Sequence, residues 1–431
     1  MTGGRKEIDK VIIVQRRLRS EPNSLEELRS LAETAGYNVC SAVEQVRGAD
    51  PRFQIGKGKI RELEQLVREN DVKKVIFDND LKSVQSYNLA KATGVEAIDR
   101  FQLILEIFTQ RASTTEAQLQ IQLAKLQYEM VHAKEKVRLA KKEEQPGFMG
   151  LGAYEVDVYH DAVQRQFQTI QKKLKRIKRK RGLHRKHRQE LGFSSVSLAG
   201  YTHAGKSTLF NALTREDVPT GNGLFTTLST TTRAVEHSRR RVLLTDTVGF
   251  IDRLPITLID AFRSTLEETI FSDLIILILD VSDPMKEVQR KLSTSLETIK
   301  EIGAQGIPIV TALNKIDLLP EAEIQQRMEA VKELAPDPVA ISALSKTNIN
   351  LLKQELVKAL KKYVNASFSI PLSDKTLAFL SWLFNYSDVR SVKYENDLAE
   401  VTFEAEQDFA DKVLGRVECY GGKIRELIEL R

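Results

Sequence analysis

The segment Gly200-Tyr201-Thr202-His203-Ala204-Gly205-Lys206-Ser207 fits the phosphate-binding pattern G-x-x-x-x-G-K-[ST]. An apolar run at residues 196–199 predicts a strand before it, and residues 208–213 predict a helix after it. Glycines let the backbone wrap around a phosphate, and the amide groups at the helix start bind its oxygens. Lys206 is expected to reach the β- and γ-phosphates, and Ser207 to ligate Mg²⁺. The segment therefore predicts a P-loop nucleotide-binding domain of the α/β class.

Three further motifs follow this loop, each at the end of a predicted strand. Asp246-Thr247-Val248-Gly249 supplies a carboxylate for Mg²⁺ and a glycine N–H for the γ-phosphate. Asn314-Lys315-Ile316-Asp317 fits N-K-x-D, whose final carboxylate can accept both the ring N–H and the exocyclic amine of guanine. Ser342-Ala343-Leu344 places a backbone N–H where it can bind the guanine carbonyl. Adenine offers neither pattern, so the four motifs in this order predict GTP binding.

A threonine-rich segment at residues 225–232 lies where the chain should complete the Mg²⁺ shell as switch I. We choose Thr227 as the ligand, and the alternative, a threonine-rich strand edge, applies to Thr230 to Thr232. The residues assigned to GTP or GDP binding are Gly200, Tyr201, Thr202, His203, Ala204, Gly205, Lys206, Ser207, Thr208, Phe225, Thr226, Thr227, Leu228, Ser229, Asp246, Thr247, Val248, Gly249, Asn314, Lys315, Ile316, Asp317, Ser342, Ala343 and Leu344. The Mg²⁺ ligands among them are Ser207, Thr227 and Asp246.

Length and composition favour a folded intracellular protein of several domains. The chain has 431 residues, of which 42% are hydrophobic and 29% charged, and its two cysteines exclude a disulfide framework. At roughly 150 residues per domain, about three domains are expected. The first ten residues, MTGGRKEIDK, lack the apolar stretch of a signal peptide. We therefore expect a cytoplasmic protein without a membrane partner.

The basic residues concentrate in one stretch. Between Arg165 and Arg188 there are twelve Lys or Arg and no Asp or Glu. Because the formal net charge is +6, the rest of the chain carries 6 − 12 = −6. Such a block indicates a polyanionic partner, with nucleic acid ahead of a membrane surface. A solvated helix face is the alternative, although such a face ordinarily mixes both signs.

Apolar residues recur in a heptad pattern on both sides of a glycine-rich break at residues 145–152. The first set is Leu119, Leu123, Leu126, Met130, Ala133 and Val137, and the second is Val163, Phe167, Ile170, Leu174 and Ile177. Matched seams predict an antiparallel helical hairpin, and about 30 residues per helix give an arm roughly 45 Å long. Because the seams support only pairwise packing, we expect a projecting hairpin rather than two helices packed flat on a domain.

Strand-like and helix-like segments alternate before the hairpin and predict a small α/β domain. Ser24 opens a Ser-x-x-Glu capping-box pattern there, and Ser113 opens another before the hairpin. The loop at residues 55–59 contains Gly-Lys-Gly-Lys, which suits either a phosphate or RNA contact or a plain turn. The predicted domains are an N-terminal α/β domain (1–105), the helical hairpin (106–192), the P-loop GTPase domain with a mainly parallel sheet (193–364) and a C-terminal α+β domain (365–431).

The motif order GYTHAGKSTLFN, FTTLSTTTR, DTVGFI, NKID and SALS resembles the HflX family of translational GTPases, related to Obg-type GTPases. The N-terminal segments IGKGKIRELEQL, VIFDNDL and DRFQLILEIFTQRASTTEAQLQIQLAKLQY resemble the same family, so the likeness spans about residues 10–365. It implies a ribosome-associated GTPase that binds the large ribosomal subunit, with the hairpin near the peptidyl-transferase region. It also implies that stalled ribosomes are split into subunits.

Some positions depart from the family pattern. His203 stands where related members commonly carry an Asn tied to potassium activation, so potassium dependence does not follow from the resemblance. Ser229-Thr230 replaces a common Asp-Pro, and the hairpin loop reads GFMGLGAYEVD in place of a more glycine-rich form. Phe250 follows Gly249 where many GTPases carry a water-orienting Gln, and HflX members also carry an apolar residue there. No side chain is therefore assigned as catalytic, and His203 and Arg253 are expected to be structural or solvent-facing.

The expected function is a Mg²⁺-dependent GTPase, slow alone and stimulated by ribosomes, that splits or rescues stalled ribosomes. The expected partners are the large ribosomal subunit and its rRNA, which the protein would contact through the basic helix at residues 165–188. The protein itself is expected to be a monomer. One alternative is a GTP-dependent RNA-binding assembly or stress factor without splitting activity. Another is an RNA-binding module whose GTPase domain is a passive clamp.

Overall fold

The computed structural model describes residues 9–143, 151–190, 193–214, 231–237, 240–247, 249–250, 269–360, 363–395 and 397–429. The chain divides into two compact units, one that runs to Ile177 and one that starts at Lys178. Across these described ranges, no helix combines the length and apolar character needed to cross a lipid bilayer.

The first unit contains a parallel sheet built from β1 (Lys10–Arg17), β2 (Asn38–Val46), β3 (Lys74–Phe77) and β4 (Glu96–Asp99). The described strands lie in the order β2-β1-β3-β4. The central strand β1 is buried over residues 11–15, as expected of a parallel strand covered on both faces. From β1 the chain passes to β2 on one side, and from β2 it crosses to β3 on the other side of β1. A topological switch point therefore lies between β1 and β3.

Helices α1 (Leu25–Thr34), α2 (Lys57–Asn70), α3 (Ser83–Thr93) and α4 (Arg100–Arg111) connect and follow these strands. The helix predicted after Ser24 is confirmed, but its capping box is not formed. The Ser24 hydroxyl instead donates to Asp78 at 2.7 Å, and Glu27 pairs with Arg100 at 2.8 Å. The buried Arg100 needs acidic partners, and Glu27 and Asp78 supply them, while Ser24 donates to Asp78 instead of capping the helix.

The hairpin consists of α5 (Thr115–Glu143) and α6 (Leu151–Glu190). The seam prediction is confirmed for one cluster of Leu119, Leu123, Leu126, Met130, Val163, Phe167, Ile170 and Leu174. Ile177, the last predicted seam residue, is described but is not part of this cluster. The helix predicted after the second capping-box pattern begins at Thr115, and the hydroxyl that accepts from the Ala117 N–H, at 3.2 Å, belongs to Thr114. Seam residues Ala133 and Val137, and most of the predicted loop, fall outside the described side chains.

The start of α5 does not project, contrary to the expectation from the seams. A second stripe, Ala117, Ile121 and Ala124, is buried, and α5 contacts α3 and α4 of the sheet domain. The Tyr128 ring stacks on Phe101, with 4.9 Å between the ring centroids. A helix with two buried stripes can pack on a domain and on its hairpin partner at once. The prediction of a projecting hairpin considered only the heptad seam and not this second stripe.

The second unit contains the P-loop sheet, made of β5 (Ser194–Gly200), β6 (Thr231–His237), β7 (Arg240–Asp246), β8 (Leu274–Asp280), β9 (Ile309–Asn314) and β10 (Pro338–Ala340). The described strands lie in the order β10-β9-β8-β5-β7-β6, and every neighbouring pair is parallel except β6 with β7. The helices are α7 (Lys206–Thr214), α8 (Met285–Glu301), α9 (Glu321–Val331) and α10 (Ile349–Ala359). The strands predicted before the four motifs are confirmed as β5, β7, β9 and β10. Strand β6 was not predicted.

The C-terminal sheet consists of β11 (Tyr363–Pro371), β12 (Asp388–Glu395), β13 (Leu398–Glu406) and β14 (Lys423–Glu429). Helices α11 (Asp374–Tyr386) and α12 (Gln407–Cys419) complete a β-α-β-β-α-β chain with antiparallel strand order β12-β13-β11-β14 in the described residues. This is the split β-α-β arrangement of ferredoxin-like domains. Strands β12 and β13 pair antiparallel, which agrees with the α+β class predicted for this end of the chain.

Candidate functional site

The phosphate-binding loop leaves the carboxyl end of β5, between β8 and β7. Gly200 has φ +144, and a Cβ added there would lie 2.3 Å from the Ile278 carbonyl oxygen of β8. Gly205 has φ +97, and a Cβ there would lie 2.2 Å from the Asn314 amide nitrogen. Both glycines are therefore required by backbone conformation and by close packing.

Lys206 is buried inside this loop. Its Nζ donates to the carbonyl oxygens of Gly200 at 3.0 Å and Tyr201 at 2.6 Å. Burial lowers the pKa of Lys206 to about 8, and the charge of Asp246 opposes that shift. A Cβ on Gly249 would lie 2.8 Å from Nζ. The ammonium therefore lies where the P-loop meets switch II, the segment that begins at Asp246. A phosphate placed here would stabilise the charged form of the amine.

Ser207 and Asp246 come together at the carboxyl ends of neighbouring strands. The Ser207 hydroxyl donates to Asp246 Oδ2 at 2.9 Å, and both residues are buried. Asp246 closes β7, where it pairs in register with Leu198 of β5. A hydroxyl and a carboxylate are hard oxygen ligands of the kind that Mg²⁺ prefers. The residues present therefore fit a Mg²⁺ ion.

The first residues of switch II are hydrogen-bonded to the P-loop. The Thr202 N–H donates to the Phe250 carbonyl at 2.9 Å, and the Phe250 N–H donates to the Gly200 carbonyl at 2.9 Å. The Phe250 side chain is buried and carries no polar atom. It cannot orient a water molecule by hydrogen bonding, whereas the backbone beside it is held close to the P-loop.

Asn314 connects the N-K-x-D loop to two others. Its Nδ2 donates to the Ala204 carbonyl at 2.8 Å, and its Oδ1 accepts from the Ala343 N–H at 2.9 Å. The Ala343 N–H, assigned from the sequence to the guanine carbonyl, thus binds Asn314 in this structure. Asp317 lies in the short 3₁₀ helix Ile316–Leu318, and its side chain is exposed, as a base-binding carboxylate must be.

His203 occupies the variable part of the P-loop. Its φ of +62 is in the left-handed region, which His adopts more readily than most non-glycine residues. Partial burial and the cations Lys315, Lys206 and Lys291 lower the pKa of the imidazole, so it is neutral at pH 7. No contact here gives His203 a catalytic role.

Part of the predicted site lies outside the described residues: Phe225 to Ser229 with Thr227, as well as Thr230, Val248 and Arg253. Thr231 and Thr232 begin the edge strand β6, and the hydroxyls of Thr232 and Thr245 are 3.0 Å apart. The strand-edge interpretation is therefore confirmed for these two threonines. The remaining predicted residues from Gly200 to Thr208, together with Asp246, Gly249, Asn314 and Asp317, lie along one edge of the sheet.

Sequence analysis missed Asp280 and Lys291. Asp280 closes β8 and forms an ion pair with Lys315, which has φ +70. Lys291 of α8 pairs with Asp283 at 2.5 Å, and its Nζ lies 5.8 Å from the centroid of the Tyr201 ring. The signal for Asp280 was present, because a carboxylate that ends a buried parallel strand lies at the ligand-binding edge.

The basic stretch lies on α6. Lys172, Lys173, Lys175, Arg176, Lys178, Arg179 and Lys180 are exposed in the described helix. Near its end, the Arg185 guanidinium lies 3.8 Å from the centroid of the Phe271 ring. An exposed helix with this density of cations suits a phosphate backbone.

A P-loop, a switch II carboxylate and an N-K-x-D loop along one edge of a mainly parallel sheet define a GTP-binding P-loop domain. Sequence models of three protein families match the chain: "GTP-binding GTPase N-terminal" at residues 22–109, "GTP-binding GTPase Middle Region" at 111–188, and "50S ribosome-binding GTPase" at 195–315. Together they cover β2 to β4 of the first sheet, the hairpin and most of the P-loop sheet.

Known proteins give the same result. The chain is 40% identical over 404 residues to GTPase HflX of Methanocaldococcus jannaschii, which covers 94% of this chain and 98% of that protein. It is 42% identical over 394 residues to GTPase HflX of Thermococcus kodakarensis, with 89% of each chain covered. The solved structure of SsGBP with GDP is similar with a TM-score of 0.50 and 27% identity, over 82% of this chain and 98% of that one. The chain belongs to the HflX GTPase family, and it hydrolyses GTP.

Proposed function

We propose that this protein is a Mg²⁺-dependent GTPase that binds the large ribosomal subunit and splits or rescues stalled ribosomes. The main support for Mg²⁺-dependent GTP binding is the hydrogen bond from Ser207 to Asp246, beside Lys206 at the edge of the sheet. The ribosomal half is supported by the match to a 50S ribosome-binding GTPase family and by the basic helix α6.

Ser207 would hold Mg²⁺, with Asp246 acting directly or through water and Thr227 completing the shell. When bound, Mg²⁺ neutralises charge on the phosphate oxygens. Lys206 would bind the β- and γ-phosphates in the same cradle, and the Gly249 N–H would bind the γ-phosphate. The described groups among these converge from the P-loop and from the segment Asp246 to Gly249, so binding and positioning are their shared task.

Guanine would be read by Asp317, whose exposed carboxylate can accept two N–H groups from the base. Asn314 would set the distance between this loop and the P-loop through its two hydrogen bonds. The Ala343 N–H, which binds Asn314 in this structure, would reach the guanine carbonyl only if that hydrogen bond is shared or exchanged when the base binds.

Hydrolysis is in-line attack by water on the γ-phosphate. Because Phe250 has no polar side-chain atom, turnover by the protein alone should be slow. The attacking water would be oriented by backbone groups or by the bound ribosome. Ribosome stimulation is the kinetic property that distinguishes this function from a passive clamp.

The protein would act as a monomer, and the exposed cations of α6 would contact rRNA. Their number predicts affinity that depends steeply on salt, because each neutralised phosphate releases condensed counterions. An assembly or stress factor without splitting activity would share this contact, so the contact alone does not separate the two functions.

The test is a sucrose-gradient profile of purified protein with cognate ribosomes and GTP or a non-hydrolysable analogue. Splitting predicts that intact ribosomes convert to subunits and that the protein travels with the large subunit. Ser207→Ala is the matched control, because it removes a predicted Mg²⁺ ligand and leaves α6 intact. Binding to large subunits without any loss of intact ribosomes would favour the assembly function.

A further inference from the structure

A cavity of about 920 Å³ lies in the first unit, beside the sheet β2-β1-β3-β4. Its walls come from the loops that follow β2, β3 and β4 and from the two hairpin helices. These loops leave the carboxyl ends of parallel strands, the edge at which open α/β sheets bind ligands near a topological switch point. No residue of the P-loop site lines it.

One wall of the cavity is aromatic. The rings of Phe101 and Tyr128 stack at 4.9 Å with 12° between their planes, and Phe167 and Met130 extend this wall from the hairpin. A wall of this kind accepts a flat apolar group, and its ring faces attract cations.

The charged residues around the cavity are mostly acidic. The formal charge of the lining residues is 1 − 3 = −2, from Lys82 and the three carboxylates of Asp50, Asp80 and Asp99. Burial raises the pKa of Asp99 to about 6, and repulsion by Asp80 adds to the shift, yet the group stays largely ionised at pH 7. A cation between Asp80 and Asp99 would relieve this repulsion.

Phosphate is the ligand usually found at such an edge, where helix N-termini donate N–H groups. Three backbone N–H groups at this edge are already engaged. Asp99 Oδ1 accepts from the Gln102 N–H at 2.9 Å, and Oδ2 accepts from the Leu81 N–H at 3.3 Å. The Lys82 N–H donates to Gln85 Oε1 at 2.9 Å. An anion would therefore meet carboxylates and occupied donors.

Carboxylates and an aromatic wall together favour a ligand that is planar and positively charged.

We propose that this cavity is a second binding site, which takes a small organic cation with a planar apolar face, such as an aromatic amidine or amine. The cation lies against the Phe101–Tyr128 wall, with its N–H groups directed to Asp80 and Asp99. The site is independent of GTP binding, since no nucleotide-binding residue lines it.

The test uses the full-length protein saturated with GDP and three probes of one shape and different charge: benzamidine, benzamide and benzoate. Ligand-observed saturation-transfer NMR and calorimetric titration measure binding. Benzamidine should bind at least tenfold more tightly than benzamide, and benzoate should not bind. Asp99→Asn keeps a residue that suits the N-cap of α4 and should weaken benzamidine at least fivefold.

Asp80 is exposed, so Asp80→Asn tests the same charge without risk to the core and should also weaken benzamidine at least fivefold. Asp71→Asn, at an exposed helix end away from the cavity, is the matched control and should leave affinity unchanged. Equal binding of benzamidine and benzamide, binding of benzoate, displacement of benzamidine by ATP, or unchanged affinity in Asp80→Asn would each overturn the proposal.

Discussion

The side-chain amide of Asn314 joins the base-binding loop to the phosphate-binding loop, donating to the Ala204 carbonyl at 2.8 Å. Its oxygen accepts from the Ala343 N–H at 2.9 Å, so one buried residue fixes three loops. Because buried hydrogen bonds are costly to leave unmade, the geometry of the guanine pocket and that of the P-loop are coupled through this residue.

Asn314→Asp should therefore weaken GDP binding at least tenfold. A carboxylate can still accept from Ala343 but cannot donate to Ala204, and the lost bond with its unpaired buried partner costs about 1–3 kcal/mol. Titration with a fluorescent GDP analogue measures the change. Asn88→Asp, a half-exposed amide that donates to the Arg52 carbonyl, is the control and should retain parental affinity. Unchanged binding in Asn314→Asp would show that the loops are not coupled.

Nucleotide choice should depend on Asp317. Asp317→Asn exchanges an acceptor carboxylate for an amide that suits xanthine, so affinity for GTP should fall and binding of xanthosine triphosphate should appear. Parallel titrations with both nucleotides check this. If GTP affinity stays at the parental value, Asp317 does not contact the base.

Phe250 should not act as a catalytic side chain. Because it is buried beside the P-loop, Phe250→Ala would leave a cavity and cost about 3–5 kcal/mol of stability. Phe250→Leu is the sharper test, since it keeps most of the apolar volume and should leave slow basal hydrolysis within about threefold of the parent. A thousandfold loss in single-turnover hydrolysis, at normal nucleotide affinity, would contradict this.

The arm and the nucleotide pocket should separate by mutation. Replacing Lys178 to Arg181 with glutamine should preserve GTP affinity and basal hydrolysis while binding to large subunits drops. The slope of log affinity against log salt should fall by roughly three, because up to four phosphate contacts are removed. Cosedimentation over a salt series measures it, alongside a hydrolysis assay.

A charge-matched control for this variant carries glutamine at Lys286, Lys300, Lys332 and Lys358, exposed lysines of the GTPase domain. It has the same net charge and should pellet with large subunits as the parent does. Should the α6 variant and the control pellet alike with equal slopes, α6 is only a solvated helix.

Asp99 should make stability depend on pH. Its pKa is about 6 in the folded protein and 3.8 in an unfolded reference, so the folded state binds more protons between these values. The stability contribution of this group therefore rises as pH falls from 7 toward 4, by up to about 3 kcal/mol. Urea unfolding of the parent and Asp99→Asn at pH 7 and pH 4.5 measures the difference. Equal changes in the two proteins would show that Asp99 titrates normally.

Sequence alone predicted the P-loop domain well, because its signals are local. The run Leu274 to Leu279 is apolar throughout, as a strand covered on both faces must be, and each chemical motif follows such a strand. Strands with weaker local signals were missed. β4 has four residues, β6 is a polar edge strand, and in β14 Ile424, Leu427 and Ile428 have the spacing of a helix face.

What the sequence predicted by itself was which residues would bind the phosphates, the metal and the base, because these roles need particular side chains at fixed spacing. Tertiary structure decided how those residues are held: the Ala343 N–H binds Asn314, and Asp280 pairs with Lys315 from another strand. It also decided that α5 lies on the first domain, where Tyr128 meets Phe101 and closes a cavity. These contacts join single side chains or backbone groups from separate segments and leave no periodic trace in the chain, so only the folded structure reveals them.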